Sequence, residues 1–420
     1  MIKKRHLFVI IILSSVISPL LANTPRDITV QEILTLAEKN SYAINTAEYQ
    51  ELVAKKNIII AKAGYFPIVN LEAIDSTGFP GSNNWLEITG LMGSPFRKEL
   101  AGGVVAKQTI YDFGRTKYDV KKARAEVHYA EQNTKITAYE VKLLALLTYY
   151  DCAQYRRLEQ IWQNLSHEAG IIKNEVDHFV NTGQRSVVDK YLSAVQFEEA
   201  NTAQAYFTEK IKWAKHELAV ITGLDEHSFT CVMLNECMHP LPQNTIYSSP
   251  FYTRAQADLN IAAVELRREK ANRLPNIVTM ASLGGLQEAH VVGRKNYSVG
   301  IGITQPLYDM RISGGIKRAQ ELLSAKNEEV EAQVQYLEEM NAKYDTIIHS
   351  SDVRLQHLSK ELEIAQEGFK VAKHRYFDLE AQLVDVRDAF SALAKASVDT
   401  EESRANLLKG QGSKELLNGG

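Results

Sequence analysis

The sequence predicts an α+β chain built twice over, in which each half joins a pair of strands to a long coiled-coil helical hairpin. Three observations predict it. Short motifs recur in the same order about 200 residues apart, a proline in each half closes a helix and opens a strand-length run, and heptad-spaced apolar residues follow each strand pair for some 60 residues.

The duplication comes first, because a missed repeat misassigns a whole fold. Lys62-Ala63-Gly64-Tyr65-Phe66-Pro67 returns 208 residues later as Lys270-Ala271-Asn272-Arg273-Leu274-Pro275. Gln108-Thr109-Ile110-Tyr111-Asp112 returns 197 residues later as Gln305-Pro306-Leu307-Tyr308-Asp309. Asp189, after two valines, returns 196 residues later as Asp385, after Leu383-Val384. The offset changes mainly once, so the first copy carries about eleven extra residues around Phe79-Pro80-Gly81-Ser82-Asn83-Asn84, a loop composition.

Each half then reads alike. A helix leads to the proline, begun in the first copy by Thr29 and Glu32 in capping-box spacing. Pro67 and Pro275 turn the chain into extended geometry. Strands are expected over 68–75 and 103–110, and over 276–283 and 297–305. Val104 and Ala106, equivalent to Ile301 and Ile303, form an apolar face, and the residues between them form a mixed one. Such runs have the length of tilted membrane strands, although the alternation also suits an ordinary hairpin.

Long helices are expected over 115–179 and 315–376, each spanning roughly 100 Å at 1.5 Å per residue. Spacings of three and four alternate through Val141, Leu144, Thr148, Cys152, Tyr155, Leu158, Trp162 and Leu165. The second copy repeats them from Val330 through Leu337, Tyr344, Ser351 and Leu358 to Phe369. This is the pattern of a coiled-coil seam. The chain turns at Asn181-Thr182-Gly183-Gln184 and near Asp378-Leu379. The first return helix ends at Thr222-Gly223, and the second fades into a Gly-rich tail after Lys409.

The ends and composition set the setting. Lys3, Lys4 and Arg5, an apolar run from Leu7 to Ile17 and a small-residue site at Ala22 have the layout of a secretory signal peptide. Cleavage after Ala22 would expose Asn23, so no lipid-bearing cysteine is expected there. The domain reading is therefore signal peptide 1–22, first repeat 23–225, connector 226–250, second repeat 251–410 and flexible tail 411–420. The net charge of −3 becomes −6 without the three leader cations, which argues against nucleic acid. No run of about 18 apolar residues offers a transmembrane helix. Cys152 on the helical stripe reads as a small buried hydrophobe. Cys231 and Cys237 lie close together in the connector, where a disulfide and two free thiols fit equally, because spacing does not fix connectivity.

Four strands cannot enclose anything, and strands in a bilayer must close because lipid offers no hydrogen-bond partner to an edge. A membrane role therefore requires several copies. The paired runs Gln108 to Asp112 with Phe113-Gly114-Arg115, and Gln305 to Asp309, resemble the strand-to-helix junctions of the TolC family of outer-membrane channels. Arg375-Tyr376, Val384-Asp385-Val386 and first-copy Gly183, Ser186, Val187 and Asp189 resemble its helical turns. The resemblance implies a homotrimer whose twelve-stranded barrel in outer-membrane lipid continues into a periplasmic helical tunnel. It also implies a periplasmic adaptor, an inner-membrane transporter as the source of energy, and efflux or type I secretion as the activity. It leaves open whether the cargo is drug, metal or protein.

The same resemblance points to Asp385 and Asp388 as acidic-ring residues and to Asp189 and Tyr376 as links between helices at the periplasmic entrance. Three chains would gather six carboxylates on the axis, attracting cations. Two solvated aspartates and a packing tyrosine are the plain structural alternatives. Leu379 and Ala381 depart from the family pattern of glycine and a basic residue, so the salt link there is either missing or rebuilt with Arg375, Arg387 or Arg185. No catalytic, cofactor or metal constellation is expected: His178 and His374 lack ligand spacing, and Gly300-Ile301-Gly302 suits a strand. The competing readings are a periplasmic adaptor, which would have one hairpin, and a coiled-coil scaffold, which would not need four strands. An exported enzyme is more distant.

Overall fold

A computed structural model describes residues 26–76, 87–88, 91–92, 99–232, 246–288 and 291–418. The leader, the inserted loop around Phe79 to Asn84 and Cys237 lie outside these residues.

Strand β1 (Arg26–Ile28) leads into α1 (Val30–Asn40) and α2 (Tyr42–Lys62). Thr29 caps α1 by accepting the Glu32 N–H at 3.3 Å. The Glu32 carboxylate does not return to the cap, because Arg26 takes it in an ion pair. Phe66, the residue before Pro67, is extended at φ −114°, ψ 155°, and strand β2 (Ile68–Ser76) follows. A short hairpin, β3 (Glu87–Ile88) and β4 (Leu91–Met92), precedes β5 (Glu99–Tyr111). The long hairpin is α3 (Arg115–Asn181) and α4 (Val187–Thr222). Strand β6 (Phe229–Cys231) opens the second half, followed by α5 (Pro250–Ala271), β7 (Asn276–Glu288), β8 (Val291–Thr304), α6 (Met310–Phe377) and α7 (Leu383–Leu417). Both halves thus run helix, strand, strand, long helix, return helix.

The sheet is antiparallel in the order β2-β5-β7-β8, so among the described residues β2 and β8 are unpaired along one side. Register places Leu71 opposite Val104, Val104 opposite Leu283, and Leu283 opposite Tyr297. One face therefore collects Val69, Leu71, Val104, Leu283, Tyr297, Val299, Ile301 and Ile303, and in the single chain Leu71 is 84% and Val299 81% exposed. The other face is mixed: Asn70, Glu72, Gly103, Lys107, Ser282, Gly284, Ser298 and Gly300 share it with the apolar Ile68, Val105, Val278 and Met280.

Strands β5, β7 and β8 outrun their expected bounds. Glycines at 102–103 and 284–285 read as strand ends, yet they pair with each other. A Cβ on Gly103 would lie 2.6 Å from the Gly284 Cα, so glycine is what lets the two backbones approach.

The second seam is a strict heptad: Val330, Leu337, Tyr344, Ser351 and Leu358 are all buried. An eleven-residue step then leads to Phe369, and seven more to Tyr376. In the first copy Thr148, Cys152, Leu158 and Leu165 are buried as expected, but Leu144 faces outward. At that level α3 is enclosed by α1, α4 and α7, and Ala145 and Leu146 fill the core instead.

Three expectations are corrected by the structure. The segment after Lys409 is not a flexible tail, because α7 continues to Leu417 with Gly412, Ser413, Leu416 and Leu417 buried. Gly410 packs so closely on α6 that an added Cβ would lie 3.1 Å from Ile347. The connector, too, carries part of the core. Strand β6 pairs in parallel with β1, Phe229 and Cys231 are buried beside Ile33, Leu146 and Leu218, and Cys231 is disulfide-bonded to Cys152 across 79 residues of sequence. Cys231 therefore cannot pair with Cys237, and Cys152 is a crosslink rather than a plain hydrophobe. The Tyr149 hydroxyl reaches the Ile28 and Val232 carbonyls at 2.7 and 2.9 Å, binding the same belt.

Candidate functional site

The residues singled out in the sequence fall into two groups at opposite ends of the long helices: the strand-to-helix junctions and the hairpin tips.

At the first junction the chain leaves β5 through Phe113 at φ 54° and Gly114 at φ 101°, a left-handed kink before α3. Asp112 holds it. Its carboxylate accepts from the Gly114 N–H (3.0 Å), the Thr116 N–H (2.7 Å) and the Thr116 hydroxyl (2.5 Å). Burial alone would raise this carboxyl's pKa, but the Thr116 and Gly114 bonds and the nearby Arg115 charge outweigh it and hold the group below the usual carboxylate range. At the second junction Asp309 caps α6 directly, accepting from the Arg311 backbone at 2.8 Å and its guanidinium at 2.9 Å, which also lowers its pKa. The two aspartates thus perform one task, satisfying first-turn N–H groups where sheet becomes helix.

Tyr111 packs edge-on against Phe113 at 4.7 Å, and Tyr308 stands 85% exposed beside exposed Leu307. With Tyr65 and Phe66 they form an aromatic, apolar rim under the sheet. Arg115 ties the first junction to the segment between α5 and β7: its Nε donates to the Ala271 carbonyl at 3.2 Å and its Nη2 to that of Leu274.

The hairpin tips are backbone duplicates. In the first, the Thr182 N–H reaches His178 O at 3.0 Å and the Gln184 N–H reaches Phe179 O at 2.8 Å. In the second, the Asp378 N–H reaches His374 O at 2.9 Å and the Glu380 N–H reaches Arg375 O at 2.8 Å. Gly183 takes φ 74° at the first turn, and its equivalent Leu379 takes φ 65°, a conformation that costs a side-chain-bearing residue roughly 1–2 kcal/mol.

Asp385 sits on the exposed side of α7 and completes a capping box, its Oδ2 accepting the Gln382 N–H at 3.0 Å. Asp388 is exposed one turn on. Asp189, half-buried, lies in the first turn of α4. Tyr376 is completely buried, edge-on to Phe179 at 6.1 Å, and its hydroxyl has no hydrogen-bond partner among the described residues. Burial, with the Asp189 charge adding and Arg185 opposing, pushes its pKa up to about 12. Asp189 and Tyr376 are therefore neighbours electrostatically but not bonded within one chain.

The residue that does join the tips is Arg185. Its Nη2 donates to the Ala381 carbonyl at 2.6 Å, and its guanidinium lies 4.7 Å above the Tyr376 ring. The only signal for it in the sequence was its place among three candidate cations. Among the described residues, no cluster of His, Cys, Asp and Glu is arranged to hold a metal, and no helix is long and apolar enough to cross a membrane.

The sequence matches no protein-family model and none of the curated proteins with which it was compared. Solved structures do match. CusC, solved to follow folding and transmembrane channel formation, superposes with a TM-score of 0.82 at 16% identity, over 95% of this chain and 94% of that one. The outer-membrane protein VceC of Vibrio cholerae gives 0.78 at 15%, over 92% and 95%. The CmeC outer-membrane channel of Campylobacter jejuni gives 0.79 at 14%, over 92% and 86%. The chain has the fold of these TolC-type channels along nearly its whole length.

Proposed function

We propose that this protein is the outer-membrane channel subunit of a tripartite efflux or type I secretion system, acting as a passive duct and not as an enzyme. The observation that carries this reading is the four-stranded sheet, unpaired at both edges among the described residues and apolar on one face, continued by helices of about 100 Å. In water such a face and such edges are liabilities; in a bilayer, closed by other copies, both are satisfied.

The dimensions agree. Strands of 13 or 14 residues at about 3.3 Å each, tilted by about 40°, rise roughly 33 Å, enough to cover an apolar band ~25 Å tall. Tyr111, Phe113 and Tyr308 fall where an aromatic girdle would meet the headgroups. Three copies would supply twelve strands, with the mixed face lining the lumen. Exposed Tyr191, Val195, Tyr206 and Trp213 on α4 support packing against a neighbouring copy.

In this arrangement the hairpin tips are the periplasmic entrance. Asp385 and Asp388 of three copies would gather negative charge around the axis, and Asp189 and Tyr376 would set the contacts between helices there. A periplasmic adaptor and an inner-membrane transporter would supply cargo and energy. Membrane fractionation followed by sizing of detergent-extracted protein tests the reading: recovery from the outer membrane as a trimer with ion conductance supports it, and a soluble monomer overturns it.

A further inference from the structure

We infer that the helical turns directly beneath the sheet form a basic collar that binds the phosphate headgroups of anionic phospholipids in the leaflet nearest the helices. The inference rests on the channel reading, which puts a membrane surface at that level.

The collar is assembled from four segments. Residues 55–66 lead up to β2, 112–124 follow β5, 265–275 lead up to β7, and 309–318 follow β8. Contacts hold them at one height. Arg268 pairs with Asp119 at 3.1 Å and Lys122 with Glu265 at 2.8 Å; a Cβ added to Gly64 would lie 2.8 Å from Thr116 Oγ1, and one on Gly315 would lie 3.0 Å from Glu269 Oε2. At 1.5 Å per residue, all four segments lie within about 15 Å of the strand ends.

Together they carry fifteen lysines and arginines and five carboxylates. Each carboxylate is already engaged. Asp112 accepts from Gly114 and Thr116, Asp119 and Glu269 both meet Arg268, Glu265 meets Lys122, and Asp309 meets Arg311. The surplus is therefore positive and uncompensated. Lys62, Lys117, Lys270, Arg273, Lys317 and Arg318 are exposed and form no ion pair among the described residues.

The surplus also stops abruptly. In the adjoining stretches, 42–54, 125–150, 250–264 and 319–345, the balance reverses to thirteen carboxylates against five lysines and arginines. Positive charge confined to the height of a membrane surface fits a ligand confined there too. Phe66, Leu307 and Met310 stand exposed among these cations, Leu307 at 94%. At a bilayer edge such side chains enter the acyl boundary, while lysine and arginine stems carry their charges out to the headgroups. Each cation near an anionic membrane surface strengthens binding roughly fivefold, so a few suffice for preference.

The detergent-extracted protein, incubated with equal amounts of phosphatidylglycerol and phosphatidylcholine and then repurified, tests the collar by the lipid it retains. Wild type should retain phosphatidylglycerol at about fivefold excess or more. The combined variant Lys62→Gln, Lys117→Gln, Lys270→Gln and Arg273→Gln should retain the two equally. Salt at about 1 M, which shortens the screening length to about 3 Å, should abolish the preference of wild type without any substitution. Lys360→Gln with Lys395→Gln, exposed residues far along α6 and α7, should keep it. No preference in wild type, or a preference that the combined variant keeps, overturns the inference. A combined variant that alters the ion selectivity of conductance but not the lipid preference assigns the charge to the lumen and overturns it too. If the protein is a soluble monomer, the channel reading falls, and the collar is still decided separately: pelleting with phosphatidylglycerol vesicles but not phosphatidylcholine vesicles supports it, and equal pelleting overturns it.

Discussion

Cys152, midway along α3, is bonded to Cys231 in β6 with their Cα atoms 6.0 Å apart, so that a strand of the connector is stitched to the middle of the longest helix of the first repeat. The bond closes a loop of 79 residues that contains the whole first hairpin return. Reduction, or Cys231→Ala, should destabilise the folded chain by about 2–5 kcal/mol. Denaturation with and without reductant measures this; identical midpoints would show that the surrounding belt does not depend on the crosslink.

Asp112 should make the first junction acid-sensitive. Its pKa is lower in the folded protein than the ordinary 3.8, so its stabilising contribution is present above that value and is lost as pH falls through the lower folded pKa. Asp112→Asn should loosen the start of α3 at neutral pH and flatten the acid dependence. Limited proteolysis near 112–116 across a pH series reads both effects.

Tyr376 separates a bonding role from a packing one. Since its hydroxyl is buried without a partner in the chain, Tyr376→Phe should leave stability within about 0.5 kcal/mol or raise it, whereas Tyr376→Ala should cost about 3–5 kcal/mol. A loss in Tyr376→Phe that appears only in assembled protein would place the missing acceptor on a neighbouring copy. The tyrosine that titrates near pH 12 should vanish in the phenylalanine variant; because the folded pKa is raised, the associated stability is present below pH ~10 and lost as pH rises through about 12.

Two glycines in the sheet should behave oppositely. Gly103→Ala would drive a methyl into the Gly284 backbone at 2.6 Å and should separate β5 from β7, while Gly300→Ala meets nothing within 4 Å and should be close to silent. The yield of folded protein distinguishes them.

The outward face gives a test of lipid contact. Val299→Arg should cost about 2–4 kcal/mol if it lies near the bilayer midplane, and less toward either rim. Equal yields of membrane-inserted protein for Val299→Arg and wild type would remove that face from lipid.

Much of this architecture was legible because it is periodic. The heptads from Val330 to Leu358 and the prolines at 67 and 275 mark elements that the structure places within a few residues of expectation. What went astray were residues whose partners are distant. Gly410 looks like a helix breaker until Ile347 is seen pressing on the backbone. Cys152 looks like any buried seam residue, since a thiol and half a disulfide occupy nearly the same space. Arg185 could not be chosen over Arg375 or Arg387, because its acceptor is a backbone carbonyl, and carbonyls carry no residue-specific signal.

The bare sides of β2 and β8 bear on how the protein comes to exist at all. If the chain is the channel subunit proposed above, a single copy has no complete resting place of its own: it exposes two unsaturated hydrogen-bonding ladders and an oily surface until others arrive. Its maturation is therefore a matter of encounter frequency, steeply dependent on how many subunits are delivered together. On that reading, a shortfall in supply would yield adhesive fragments of a wall rather than a smaller pore.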